Sequence, residues 1–209
     1  QTSALPILDF YAYSTYKTFG THQGVLWGSN EALKKTEGQG HFFNEEKSRY
    51  RLNPTGPQHA QIAALAGITE YFDQLHQHHF GESALSLHQR ARQTFDLVGE
   101  HEAKLANILL DYLKDREGIR ILGQDHAVPG ERASTIAFHA RAMPSNHIAE
   151  QLSHSKIGVG AGDFYALRCV EALGMDPADG VVRVSMVHYN TAAEVTKLVE
   201  TIDSILPGN

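Results

Sequence analysis

Apolar positions along this chain follow a strand-like pattern at its start, helical periodicity in its middle and alternating elements towards its end. Pro6 to Tyr13 is apolar and aromatic, and Val25-Leu26-Trp27 forms a second apolar patch. Residues 5–13 and 23–28 therefore read as strands, with a turn at Gly20 between them. From Asn30 to Asn53 the chain is polar and contains Gly38, Gly40 and the aromatic pair Phe42 and Phe43, which predicts a long, partly ordered loop. Thr55-Gly56-Pro57 marks the start of a helix. Ile62, Leu65, Ile68, Phe72 and Leu75 then recur at helical spacing, predicting one amphipathic helix over 58–79. After Gly81, the stripe Leu87, Ala91, Phe95, Val98, Leu105, Leu109 and Tyr112 predicts a long helix reaching about Asp115. Gly99 is its expected bend and Gly118 its stop.

Beyond Gly118 the pattern alternates. Strands are expected at 119–122, 134–139, 156–159 and 180–187, and helices at 145–154 and 163–173. Thr191 and Glu194 have capping-box spacing ahead of the stripe Val195, Leu198, Val199, Ile202 and Ile205. The fold class expected is α/β, with residues 118–209 forming a small α+β domain of a sheet covered by helices. Residues 57–117 would be connecting helices, and 1–56 the tail strands and loop of a larger domain.

Composition narrows the possibilities. With 18 basic against 24 acidic residues the net charge is −6, and no basic block offers a nucleic-acid surface. The single cysteine, Cys169, excludes an internal disulfide framework and fits a reducing compartment. No apolar run approaches the length of a membrane span. The expected protein acts in the cytoplasm on a small molecule, with no nucleic-acid or membrane partner.

Lys17 is the candidate for chemistry. Apolar neighbours and the glycines at 20, 24 and 28 suggest an amine enclosed by apolar groups, which would favour its neutral, nucleophilic form. A snorkelling surface lysine is the competing reading. Ser14-Thr15-Tyr16-Lys17 fits the Ser-x-x-Lys pattern, but the Ser-Asp-Asn and Lys-Thr-Gly partners of that chemistry are missing. Tyr13 and Lys17 fit Tyr-x-x-x-Lys, but no glycine-rich dinucleotide turn precedes them. The third possibility is a Schiff-base lysine for pyridoxal 5'-phosphate, with the Ser14 hydroxyl three residues before it and glycines following.

This stretch resembles the lysine motif of class V aminotransferases, and within them the cysteine desulfurase-like branch. Ser14-Thr15-Tyr16-Lys17, Phe19-Gly20-Thr21-His22 and Gly24 carry the resemblance, with Tyr16 where better-known desulfurases have histidine. Downstream, Thr55-Gly56-Pro57 resembles a segment whose threonine reaches the cofactor phosphate of the neighbouring subunit, although Pro54 replaces its usual glycine. Arg183, Ser185, Tyr189-Asn190-Thr191 and Glu194 resemble the family's C-terminal signature.

The resemblance implies the C-terminal half of the fold type I pyridoxal-phosphate transferase fold and a homodimer. Lys17 would form the internal aldimine and shuttle the α-proton. Ser14, Tyr16, His22 and a partner subunit's Thr55 would hold the cofactor, and Arg183 the substrate carboxylate. The implied activity is that of a transferase or lyase on an amino acid: transamination, or cysteine desulfurase- or selenocysteine lyase-like chemistry. The family's preceding half supplies the ring-stacking and pyridinium-pairing groups. With Gln1 rather than methionine at the start, the chain reads as a fragment, inactive by itself. The alternative is a catalytically silent association module that keeps only the fold.

Other chemistry-bearing residues have structural readings. Gly162-Asp163-Phe164-Tyr165-Ala166 resembles a turn of the desulfurase-like branch, with Tyr165 where group II desulfurases carry their nucleophilic cysteine. Cys169 is expected as a small buried hydrophobe in a helix. His76, His78 and His79 suggest a solvated helix end rather than a metal site. His188 and Tyr189 read as packing residues.

Overall fold

The computed structural model describes residues 8–53 and 56–206. They form two compact units, 1–91 and 92–209.

In the first unit, β1 (Phe10–Ser14) pairs antiparallel with β2 (Gly24–Gly28), with Tyr11 opposite Trp27 and Ser14 opposite Gly24. The expected first strand is thus seen from Phe10 onward, and residues 1–7 lie outside those described. The supposed loop after β2 starts with a short helix, α1 (Asn30–Lys35). Ser29 caps it by accepting from the Ala32 backbone N–H, and Glu31 pairs with Lys35 at 2.7 Å. Arg51 closes the other end, donating to the carbonyls of Leu33, Lys34 and Thr36. Two single turns of 3-10 helix, Phe42–Asn44 and Ser48–Tyr50, complete the segment. The helix expected over 58–79 is divided at Leu65 into α2 (His59–Ala64) and α3 (Ala66–Phe80).

Helix α4 (Leu87–Lys114) runs through Gly99, where the sequence suggests a bend. Arg90, near its start, pairs with Asp73 of α3 through both carboxylate oxygens, at 2.5 and 2.9 Å.

The second unit is a two-layer α+β arrangement. Its antiparallel sheet has the order β3-β4-β6-β5, from β3 (Ile119–Leu122), β4 (Thr135–Ala140), β5 (Gly160–Gly162) and β6 (Val181–Ser185). Alternation along β4 and β6 sends Ile136, Phe138, Val182 and Val184 into the core. There they meet Leu109 and Leu113 of α4, Ile148 and Leu152 of α5 (Ser145–His154), and Leu198 and Ile202 of α7 (Ala192–Ile205). The Thr191–Glu194 capping box forms as the sequence predicts.

Two elements shift. Residues 156–159 are not a strand, because the chain there closes α5. Lys156 takes φ +60° while the N–H groups of Lys156 and Ile157 bond to Ser153 and Leu152, a Schellman cap. The strand follows at Gly160. The helix expected over 163–173 is the shorter α6 (Leu167–Ala172), because Phe164 and Tyr165 form a tight turn at φ +52° and +61°.

Candidate active site

In the first unit the chain between β1 and β2 carries Lys17. Ser14 ends β1, and Thr15–Thr18 make one turn of 3-10 helix that stops at Phe19 with φ +64°. Thr15 anchors the turn. Its fully buried hydroxyl lies 2.5 Å from the Thr21 carbonyl and 3.0 Å from that of Gln23, while its own carbonyl accepts from Gly20 N–H and the Thr18 hydroxyl. Phe19 stands 5.9 Å from Tyr71 and 6.2 Å from Phe72, ring to ring, holding the turn against α3. Nothing in the apolar pattern singled out Thr15. Only its burial reveals its part.

Lys17 is exposed rather than enclosed. It sits in a single 3-10 turn, and the apolar residues that flank it in the chain do not cover it. Its Nζ lies 5.8 Å from the centre of the Tyr16 ring, which in turn stacks on His22 at 4.7 Å and 17°. Lys17 Nζ and Ser14 Oγ have no hydrogen-bond partner among the described residues. On either side of His22, Thr21 Oγ1 and Gln23 Oε1 are buried without partners among the described residues. A cleft of about 710 Å³ is lined by His22, Gly24, Leu26 and, from the approach to α2, Gly56 and Pro57. Thr55 lies outside the described residues.

In the second unit, Arg183 sits on the face of β6 opposite the core. Its register partners are small, Ala137 on β4 and Gly160 on β5. Its guanidinium carbon lies 3.8 Å from the centre of the Phe164 ring. None of its donors has a hydrogen-bond partner among the described residues. Arg183 is therefore a held cation with its hydrogen-bonding edge free. Other residues of the C-terminal signature have structural partners. Asn190 accepts from Val187 N–H at 2.9 Å, and its carbonyl lies 2.8 Å from His101 Nε2. Ser185 Oγ accepts from the Thr135 hydroxyl at 3.3 Å. Tyr189 is exposed, its ring 5.3 Å from that of His188.

Two expectations about reactive side chains change. Cys169 is exposed, because α6 is short and buries only Val170. His76 is buried rather than solvated, with its ring 5.0 Å from Phe80, while His78 and His79 are exposed. No cluster of possible metal ligands occurs among the described residues, and no helix among them is long and apolar enough to cross a membrane.

The family model for aminotransferase class-V matches residues 6–198. An aminotransferase-like protein of Gibberella zeae is 33% identical over 95% of this chain and 46% of its own length. A cysteine desulfurase-like protein of Aspergillus flavus is 26% identical, over 95% of this chain and 43% of its own. Among solved structures, the cysteine desulfurase CsdA of Escherichia coli has a TM-score of 0.73 at 23% identity, covering 96% of this chain and 47% of that one. A cysteine desulfurase of Thermococcus onnurineus, solved without ligand, has a TM-score of 0.69 at 21% identity over 95% of this chain and 47% of that one. These two likenesses establish the fold. The chain spans about half the length of the curated relatives described here.

Proposed function

Because the chain belongs to the aminotransferase class-V family, we propose that it supplies the cofactor-bonding lysine and the carboxylate-binding arginine of a pyridoxal-phosphate-dependent enzyme acting on an amino acid. The observation that carries this reading is Lys17: a primary amine with no hydrogen-bond partner among the described residues, on a turn anchored by a buried hydroxyl, inside the matched region. The donor set fits a phosphorylated aldehyde, since the unpartnered Ser14 hydroxyl stands three residues before that amine. Tyr16 and His22 add a stacked aromatic pair beside it. Thr55 from a second copy would complete the phosphate contacts, which makes the active form a homodimer.

When bound, the cofactor supplies an electron sink for the substrate's α-carbon. The remaining work belongs to the chain. Lys17 Nζ holds and moves the proton at that carbon, and Thr15 keeps the turn from opening as it does so. Arg183 binds the α-carboxylate through its planar N–H fork. Cysteine desulfurisation is one reaction these residue roles would support; amino transfer and elimination are others.

The test is to load the complete enzyme with pyridoxal phosphate, reduce it with borohydride and map the product by mass spectrometry. A pyridoxyl adduct on Lys17 is expected. An adduct elsewhere, or none, removes the assignment. That this chain spans about half of its relatives supports a second reading, in which the 209 residues alone are catalytically silent. Turnover of an amino-acid substrate by those residues by themselves would refute it.

A further inference from the structure

We propose that Phe164 is the positioning residue for Arg183, setting the plane in which its guanidinium meets a substrate carboxylate. The proposal rests on the reading of Arg183 as the carboxylate-binding group. An exposed arginine on the outer face of a sheet, paired across both neighbouring strands with alanine and glycine, has no bulky register partner to limit its rotamers. Arginine carries rotamer entropy that binding would otherwise have to overcome. Here the guanidinium is not loose. Its central carbon lies over the Phe164 ring, 3.8 Å from the ring centre, the separation of a stacked contact.

The ring is itself held from below. A β-carbon on Gly160 would come within 2.7 and 2.8 Å of two Phe164 ring atoms, so the ring lies directly on the strand backbone. Gly160 is also the register partner of Arg183. Backbone, ring and guanidinium therefore form one column at the edge of the sheet. The turn that delivers the ring is locally strained, with positive φ at both Phe164 and Tyr165. It is closed by Ala166 N–H bonding to the Asp163 carbonyl at 2.8 Å and Tyr165 N–H to the Asp163 carboxylate at 3.0 Å.

Stacking occupies the π-face of the guanidinium and leaves its edge of N–H donors untouched. No acceptor among the described residues takes them. A planar carboxylate approaching in the guanidinium plane meets a fork already oriented. The specificity that follows is for substrates with a free α-carboxylate over the corresponding amines.

Two measurements test this. In the 209-residue chain, the Arg183 Nε–H resonance, assigned by its loss in Arg183→Lys, should be shifted by the ring current. That shift should vanish in Phe164→Leu and persist in Phe164→Tyr. In the complete enzyme, Phe164→Leu should raise KM for the amino-acid substrate about 5- to 30-fold with kcat nearly unchanged. Phe164→Tyr should restore it, and Gly160→Ala, which dislodges the ring, should reproduce it. If Phe164→Leu leaves KM unchanged while Arg183→Lys raises it, Phe164 has no positioning role and the carboxylate reading stands. If Arg183→Lys itself leaves KM unchanged, that reading fails and takes the proposal with it.

Discussion

The buried hydroxyl of Thr15 lies 2.5 Å from the backbone carbonyl of Thr21, and this bond closes the turn that carries Lys17. The residue that shapes the turn is thus two positions from the residue proposed to do its chemistry. Thr15 has nothing exposed, so replacing it with valine keeps its shape but removes the one hydroxyl proton shared between the Thr21 and Gln23 carbonyls, each of which keeps a backbone N–H donor. Thr15→Val should cost about 1 kcal/mol of stability, and Thr15→Ser much less. Trp27 is the only tryptophan and lies on β2, so its fluorescence during denaturant unfolding reads this unit specifically. Equal stability of Thr15→Val and the parent chain would show that the hydroxyl carries no weight.

Glycine matters at Gly180 for want of space. Gly180 and Gly174 have similar backbone angles, φ +65° and +73°, but only Gly180 is crowded. A β-carbon at Gly180 would fall 2.2 Å from the Gly162 carbonyl carbon, whereas one at Gly174 would meet nothing within 4 Å. Gly174→Ala should therefore lose only the backbone strain, about 1 kcal/mol. Gly180→Ala should lose that plus the displacement of a β5 residue, about 2–4 kcal/mol in all. Thermal or denaturant unfolding of the pair separates strain from crowding.

Acid should act on two carboxyls held below their ordinary values. At Glu194 the main cause is the Thr191 backbone N–H, followed by the Thr191 hydroxyl; at Asp73 it is the hydrogen bond from Arg90. A depressed native pKa gives stability that is fully present above the unfolded value, near 4.5 for Glu194 and 3.8 for Asp73. It is lost as the pH falls through the lower native value. Glu194→Gln and Asp73→Asn should each flatten the fall of stability below those values. Unchanged slopes in unfolding titrations would show that neither contact contributes.

Elements set by neighbouring residues were legible in the sequence. Thr191 and Glu194 announce α7 because a capping box is a contact between residues three apart, and β3 and α5 fall on their predicted spans. The misses came from contacts that no local period encodes. Arg51 closes α1 from 15 residues beyond Thr36, within what read as a loop. Phe164 and Tyr165 leave helical geometry where the turn must lay a ring on Gly160, and that ring's position depends on strand pairing. Among the residues proposed to act, residue type and motif pointed to Lys17 and Arg183. Thr15 and Phe164 were not, since a threonine and a phenylalanine carry no chemical signal until burial and stacking are seen.

Cys169 lies outside any buried setting and gives a direct test of reaction type. An exposed thiol on a short helix should alkylate with iodoacetamide in the folded protein, without denaturant. Cys169→Ser should change stability by no more than about 0.5 kcal/mol, as expected of a surface substitution. Its effect on turnover then discriminates between chemistries. If Lys17 alone performs the covalent chemistry, Cys169→Ser and the alkylated enzyme should turn over the amino-acid substrate at the parent rate. If sulfur passes through Cys169, both should lose sulfur release while still forming the borohydride-reducible adduct on Lys17. Measuring sulfide and adduct together on the same preparation separates a lost nucleophile from a lost cofactor, because only the second outcome removes the adduct.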